Sequence, residues 1–313
     1  MSIESRSQGT SPADQAEDAQ RIAVAIATFR RNDLLLELLN SLESATERHA
    51  MHVIVADNDP EGGAKEVCSD HPLKPDYIHV TDPGIVPARN ASLSKVSSDD
   101  DYIAFVDDDE TVCPRWLDML VTTAATHDAD VVAGPVVSEY AEGTSQWVVR
   151  GNFHQRPRQQ TGTPVSLAAT NNSLVRRTAL MSLENPRFSS DFSETGGSDS
   201  ELFWRMGQNG ARFIWCDEAE VTELVPLDRS TFKWIFRRGI RLGNVYGRLL
   251  LREHGRLYVS LAGIARIGLG LVKVTGDLAL RRAIMQSGIS TLTRGIGILG
   301  AQSRKLIHEY RRS

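Results

Sequence analysis

The chain has little that could tie it together covalently. Its 313 residues include only three cysteines, Cys68, Cys113 and Cys216. The number is odd and no two of them stand in a CxxC spacing. That argues against a disulfide framework or a cysteine zinc site and fits a reducing, cytosolic setting. Also missing is any run of roughly 20 uninterrupted apolar residues, the length of a bilayer span. The longest candidates, near the C-terminus, are broken by Arg266, Lys273 and Arg294. The first twenty residues, MSIESRSQGTSPADQAEDAQ, lack the apolar core of a signal peptide and read as a disordered leader. No internal repeat is visible.

What is present is an ordinary globular composition, 41% hydrophobic and 24% charged. The net charge of -5 hides an uneven distribution. Residues 229–313 carry 17 Lys and Arg against 3 Asp and Glu, and residues 1–228 carry 18 against 37. An acidic body with a basic C-terminal region suggests two tasks, the second with an anionic partner.

Short β-branched runs alternate with helical patterns through the first half. Strands are expected at Arg21–Ala27, Met51–Ala56, Tyr77–Val80, Tyr102–Val106 and Ala129–Ala133. Helices are expected at Asp33–Glu47, Val86–Val96 and Pro114–Thr126. This alternation gives an α/β fold with a mostly parallel sheet covered by helices on both faces. Ligands of such sheets bind beyond the carboxyl ends of the strands, which puts Thr28–Arg31, Asp57–Asp59 and Asp107–Glu110 on one rim. Residues 136–195 read as loops. Ser198–Gln208 opens a helix, Arg212–Cys216 is a strand, and the chain is helical and basic after Pro226.

The run FVDDDE, Phe105 to Glu110, ends a buried strand with four acids. Like charges so close call for a cation among them. Asp107 and Asp109 at a strand end suit Mg²⁺ or Mn²⁺, hard ions that take one or two carboxylates and complete their shell with phosphate oxygens and water. The alternative is a solvated acidic turn ahead of the next helix.

The ordered series ATFRRND, VADND, GIVPARN, FVDDDETVCPRWL, TNNSLVRR and GGSDSELFWRMG resembles the family 2 inverting glycosyltransferases of GT-A fold. WVVRGNFHQRPR, FIWCDEAEV and VPLDRSTFKWIFRRGIRLGN bring it closest to the bacterial exopolysaccharide branch of that family. The resemblance covers about Arg21 to Asn244 and implies residue roles. Thr28 and Arg30 would line the pocket of a nucleotide-sugar donor, a UDP-sugar first. Asp57 would accept hydrogen bonds from the base, Arg89 would reach the diphosphate, and Asn172 would position substrate. Asp107 and Asp109 would hold the metal, with Asp108 directed to the sugar ring or the metal's outer shell. Asp199, in the first turn of its helix, would be the base that takes the proton of the acceptor hydroxyl; this chain has Ser198 where the family often has Glu. The QxxRW of processive relatives is absent, with Arg237-Arg238-Gly239 in that stretch, which favours transfer of a single sugar. Trp147 and Trp204 are candidates for stacking on a sugar.

The C-terminal region, 228–313, repeats apolar residues at helical steps. One set is Leu257, Leu261, Ile264, Gly268 and Leu271; the other is Met285, Ile289, Leu292, Ile296 and Leu299. Amphipathic basic helices of this kind either lie on an anionic membrane surface or pack on the catalytic body. The resemblance implies a lipid-linked or other glycan acceptor and peripheral association with the inner face of the cell membrane. No nucleic-acid-binding module accompanies the charge. Two rival readings remain. Asp107–Thr111 also fits the DxDxT of haloacid-dehalogenase-type phosphatases, and a non-catalytic protein could bind a nucleotide sugar without transferring it.

Overall fold

The computed structural model describes residues 19–193, 196–280 and 286–303. Nearly all of the expected leader, and Met285, lie outside the described residues. Among the described residues ten strands are present: β1 (Arg21–Thr28), β2 (Ala50–Asp57), β3 (Asp76–His79), β4 (Tyr102–Val106), β5 (Glu110–Val112), β6 (Val131–Ala133), β7 (Val136–Tyr140), β8 (Asn172–Arg176), β9 (Phe213–Trp215) and β10 (Val221–Val225). The helices before Pro226 are α1 (Asn32–Leu42), α2 (Lys65–Asp70), α3 (Ile85–Leu93), α4 (Trp116–His127), α5 (Gln146–Gly151), α6 (Arg177–Met181) and α7 (Ser198–Gln208).

Seven strands form the main sheet in the order β3-β2-β1-β4-β8-β6-β9. β1 and β4, with the sequences RIAVAIAT and YIAFV, are buried almost throughout, as continuous apolar strands between two helix layers must be. On one face α1 buries Leu35, Leu38, Leu39 and Leu42 in the core cluster that also holds Trp116 and Leu120 of α4. α7 closes the other face with Leu202, Phe203 and Met206.

The sheet is parallel except for β8, which runs antiparallel to both β4 and β6. This corrects the expectation of loops across residues 136–195, where β7, α5, β8 and α6 all form. β8 was hidden because only Leu174 and Val175 are apolar, between Asn172-Ser173 and Arg176. A second sheet, β5-β10-β7, stands beside the first. The chain leaves the main sheet after Val106 and enters the small one at Glu110, so the acidic run is the crossover between them.

Three long helices follow: α8 (Phe232–Glu253), α9 (Arg256–Ala279) and α10 (Gln286–Gly300). α8 packs on the body. Arg252 donates to the buried Glu201 of α7 at 2.6 Å, the Trp204 indole N–H donates to Glu253, and Val245 fills the space a side chain at Gly197 would need. α10 lies between α8 and α9 through glycines. A Cβ at Gly270 would lie 2.5 Å from the Leu292 amide nitrogen, and one at Gly297 would overlap the Ile240 carbonyl.

The two apolar stripes therefore differ in fate. That of α10 is turned inward, with Ile289 buried, whereas α9 exposes Leu257 (73%), Leu261, Ile264, Leu271 and Val272. α9 is also, by length and composition, long and apolar enough to cross a membrane, contrary to the reading that charges interrupt it. Arg266 turns toward α8, its guanidinium 5.1 Å from the Tyr246 ring centroid, so it does not break the outer face.

At the junction of the small sheet and α8, His154 is buried with both ring nitrogens unpaired, stacked on Trp234 at 5.4 Å. Burial, then the nearby Arg238, push its pKa down to about 4, with Glu223 opposing. The fold thus favours the neutral ring. Stability is complete above the unfolded value near 6.5 and declines as pH falls from there toward 4. Urea denaturation at pH 7 and pH 5 should differ by on the order of 2 kcal/mol from this residue, and His154→Phe should remove that part of the slope.

Candidate active site

The register of the main sheet assembles the rim. Thr28 lies opposite Asp57, and the pairing of β1 with β4 carries Thr28 alongside Asp108. The Thr28 hydroxyl donates to Asp108 at 2.8 Å. A turn then re-aims the chain: the Glu110 amide donates to the Asp107 carbonyl at 3.3 Å, and the Asp107 amide donates to the Glu110 carboxylate at 3.0 Å.

Three arginines from three segments meet these acids. Arg31, at the β1–α1 turn, donates to Asp108 at 2.8 Å and to Asp109 at 2.9 Å. Arg229 reaches Asp109 at 3.5 Å from the turn before α8. Arg89 of α3 stands 3.6 Å from Asp107 and donates to the Ser198 hydroxyl at 3.3 Å, so it touches both the acidic turn and the start of α7. Asp199 follows Ser198 in that first turn and is close enough to add to the repulsion felt by Asp107.

Partial loss of solvent in the crevice raises Asp107; Asp109, Asp108 and Asp199 add to the rise, and Arg89 opposes it. The side chain keeps part of its hydration, which limits the rise. Burial also raises Asp108, against the attraction of Arg31. Glu110 is pushed well above the carboxylate range by burial and by Asp107.

Among the described residues no group of three or more His, Cys, Asp or Glu side chains is arranged around a metal. Asp107 and Asp109 make a two-carboxylate set, which fits an ion that takes its other ligands from a diphosphate and water. The Asp107 side chain is 42% exposed, so it faces the crevice.

The other expected residues do different work. Asp57 is fully buried and accepts from the Asp59 amide (2.8 Å), the Ala64 amide (3.0 Å) and the Tyr77 hydroxyl (3.1 Å). These bonds hold the turn after β2. An open groove beside it is lined by Arg30, Asn32, Asp33, Asp59 and Glu61, with Arg30 pairing Asp59 at 3.0 Å. Arg30 thus lines this groove while its neighbour Arg31 meets the acids. The RR doublet signals an arginine there but not which one turns inward.

Asn172 is not directed at substrate. It accepts from the Trp116 indole N–H (2.9 Å) and donates to the Pro135 (2.9 Å) and Ala219 (2.7 Å) carbonyls, joining β8, α4 and both sheets. Trp204 is likewise structural, held by Glu253 and packed against the Arg252 guanidinium. Arg238 is buried beside Glu223 and His154. Sequence reasoning placed Arg31 and Glu110 on the rim without giving either a role, and it did not single out Arg229. All three sit within quoted motifs, but only the small sheet places Glu110, and only the turn at Leu227–Ser230 aims Arg229.

A family model described as "Glycosyl transferase family 2" matches residues 23–183. The chain is 36% identical over 243 residues to the succinoglycan biosynthesis protein ExoM of Rhizobium meliloti, covering 75% of this chain and 77% of that one. It is 24% identical over 161 residues to the glycosyltransferase AglE of Haloferax volcanii, about half of each chain. S. aureus TarS 1-349 in complex with UDP shares the fold, with a TM-score of 0.53 at 15% identity over 88% of this chain and 90% of that one. The chain belongs to glycosyltransferase family 2, with the GT-A architecture, and is a glycosyltransferase. The phosphatase reading of Asp107–Thr111 falls away.

Asn172→Ala would orphan the Trp116 indole N–H and the Ala219 carbonyl and would leave the Pro135 carbonyl with the Val221 amide alone. It should cost about 1–3 kcal/mol in chemical denaturation while leaving nucleotide affinity, measured by calorimetry, unchanged. A selective loss of affinity at unchanged stability would return Asn172 to the substrate.

Proposed function

We propose that the protein transfers a single sugar from a nucleoside-diphosphate sugar, a UDP-sugar first, to a lipid-linked glycan with inversion at the anomeric carbon. The observation that carries this reading is the convergence of Arg31, Arg89 and Arg229 on Asp107–Asp109, with Asp199 across from them on α7. Exopolysaccharide assembly is supported by the likeness to a succinoglycan biosynthesis protein, and the choice of UDP by the UDP complex of TarS. The absence of QxxRW supports one addition per acceptor.

In this reading Asp199 accepts the proton of the acceptor hydroxyl as its oxygen bonds to C1 of the donor sugar. The bond from C1 to the diphosphate oxygen breaks on the opposite face, which inverts the centre. A Mg²⁺ or Mn²⁺ ion held by Asp107 and Asp109 would supply Lewis-acid neutralisation of the leaving diphosphate. Arg89 and Arg31 are cations already poised at the same place, with fork geometry suited to phosphate oxygens.

The exposed apolar face of α9, with Arg256 at its N-terminal end, supports peripheral association with an anionic bilayer on its cytosolic side. A carrier-bound acceptor would be reached there. Nothing in the charge pattern favours nucleic acid.

Asp199→Asn should lower transfer by about 10²–10⁴ while UDP-sugar binding persists; retained turnover would remove it as the base, and a protein that binds without transferring would be indifferent. Asp109→Ala should abolish the Mn²⁺-dependent part of donor affinity in calorimetry. For the membrane, Leu261→Asp with Ile264→Asp should reduce co-sedimentation with phosphatidylserine-containing vesicles about tenfold. Both side chains are exposed, so the thermal midpoint should hold; unchanged sedimentation would detach α9 from the bilayer.

A further inference from the structure

Trp147 lies at the rim of the small core cluster of Val148, Phe153, Ile235 and Ile289 and takes no part in the donor site. It stands on α5, half-buried, with its ring edge-on to Phe153 at 4.9 Å and tilted against Phe232 at 6.0 Å. Phe232 opens α8 and is 55% exposed, and Phe236, one turn on, stacks on it at 5.8 Å with 29° between the planes. Leu227 (51% exposed) and Leu224 lie at the same end of the small sheet. Leaving these rings in water sacrifices burial that a soluble fold would ordinarily use, and such patches mark binding surfaces.

The position of the patch says what it could bind. Arg229, three residues before Phe232, touches Asp109. Three residues span at most about 10 Å. The small sheet gives a second measure: Glu110, next to Asp109, pairs across to Glu223 of β10, which pairs with Ser138 of β7. Two strand spacings are again about 10 Å, and β7 and β10 lead directly to the segments that carry Trp147 and Phe232. The platform therefore sits on segments that lead straight from the acidic turn, at least two sugar rings from it.

Its chemistry is mixed. Beside the exposed rings stand polar side chains with solvent access, among them Lys233 and Arg237 on α8. Aromatic faces against the C–H side of a pyranose, with polar groups at the edges, suit carbohydrate; an acyl chain would be better served by the aliphatic face of α9. Three rings also fall far short of the roughly 800 Å² per partner that a stable dimer buries.

We infer that the Trp147–Phe232–Phe236 platform is an acceptor subsite, receiving the sugar rings of the growing glycan that precede the one accepting the new residue. This rests on the transferase reading above and adds where the acceptor lies. The test titrates the full chain, saturated with UDP and Mn²⁺, with tetrasaccharides of glucose, galactose or mannose, followed by saturation-transfer NMR and tryptophan fluorescence. At least one should bind, Phe232→Ala should weaken it about tenfold with UDP affinity unchanged, and Phe232→Tyr should restore it to within about twofold. Equal binding by Phe232→Ala, or silence of every tetrasaccharide while UDP binds, overturns the subsite alone. Failure of a UDP-sugar panel to bind overturns the transferase reading and the subsite with it.

Discussion

The structure depends most on how four consecutive carboxylates are kept together at the end of one buried strand. Asp107, Asp108, Asp109 and Glu110 would repel one another strongly in a crevice with little water. The fold answers with cations drawn from distant parts of the sequence: Arg31 after the first strand, Arg89 on α3 and Arg229 before α8. Each brings its own segment to the rim. The acidic turn is therefore an organising centre as well as a candidate metal site, since it fixes the mouths of β1, α3 and the C-terminal helices relative to one another.

The sheets supply what electrostatics alone would not, namely direction. Asp108 is oriented by Thr28 through the register of β1 and β4, and Glu110 leaves for a different sheet, so neighbours in sequence look into different environments. Asn172 is the pin that holds this divergence, with its amide spread over a loop of each sheet and an indole of α4. The polar groups that look most like ligand contacts in the sequence are partly those that the architecture consumes.

The main elements were legible because their signals are local: continuous apolar strands, the leucine stripe of α1, and the Gly-Gly before α7. The rim was legible from the rule that loops follow carboxyl ends of parallel strands. What escaped was non-local. β8 carries just two apolar residues and becomes a strand only because β4 and β6 are there to pair with it. Asp57 and Asn172 stand at site-like positions, yet their partners, Ala64, Tyr77, Trp116 and Ala219, are fixed by tertiary packing. The likeness in the two C-terminal stripes disappears once α10 takes the middle place and leaves α9 outside.

That middle place has an evolutionary consequence. At Gly297 and Gly270 the neighbouring backbone occupies the space of even a methyl group, so every missense change there is a steric one and no conservative replacement exists. A charged residue in the crevice can be exchanged for a shorter or neutral relative and still fold. Drift in this lineage should therefore be slowest along a strip of side-chain-free positions remote from all the chemistry.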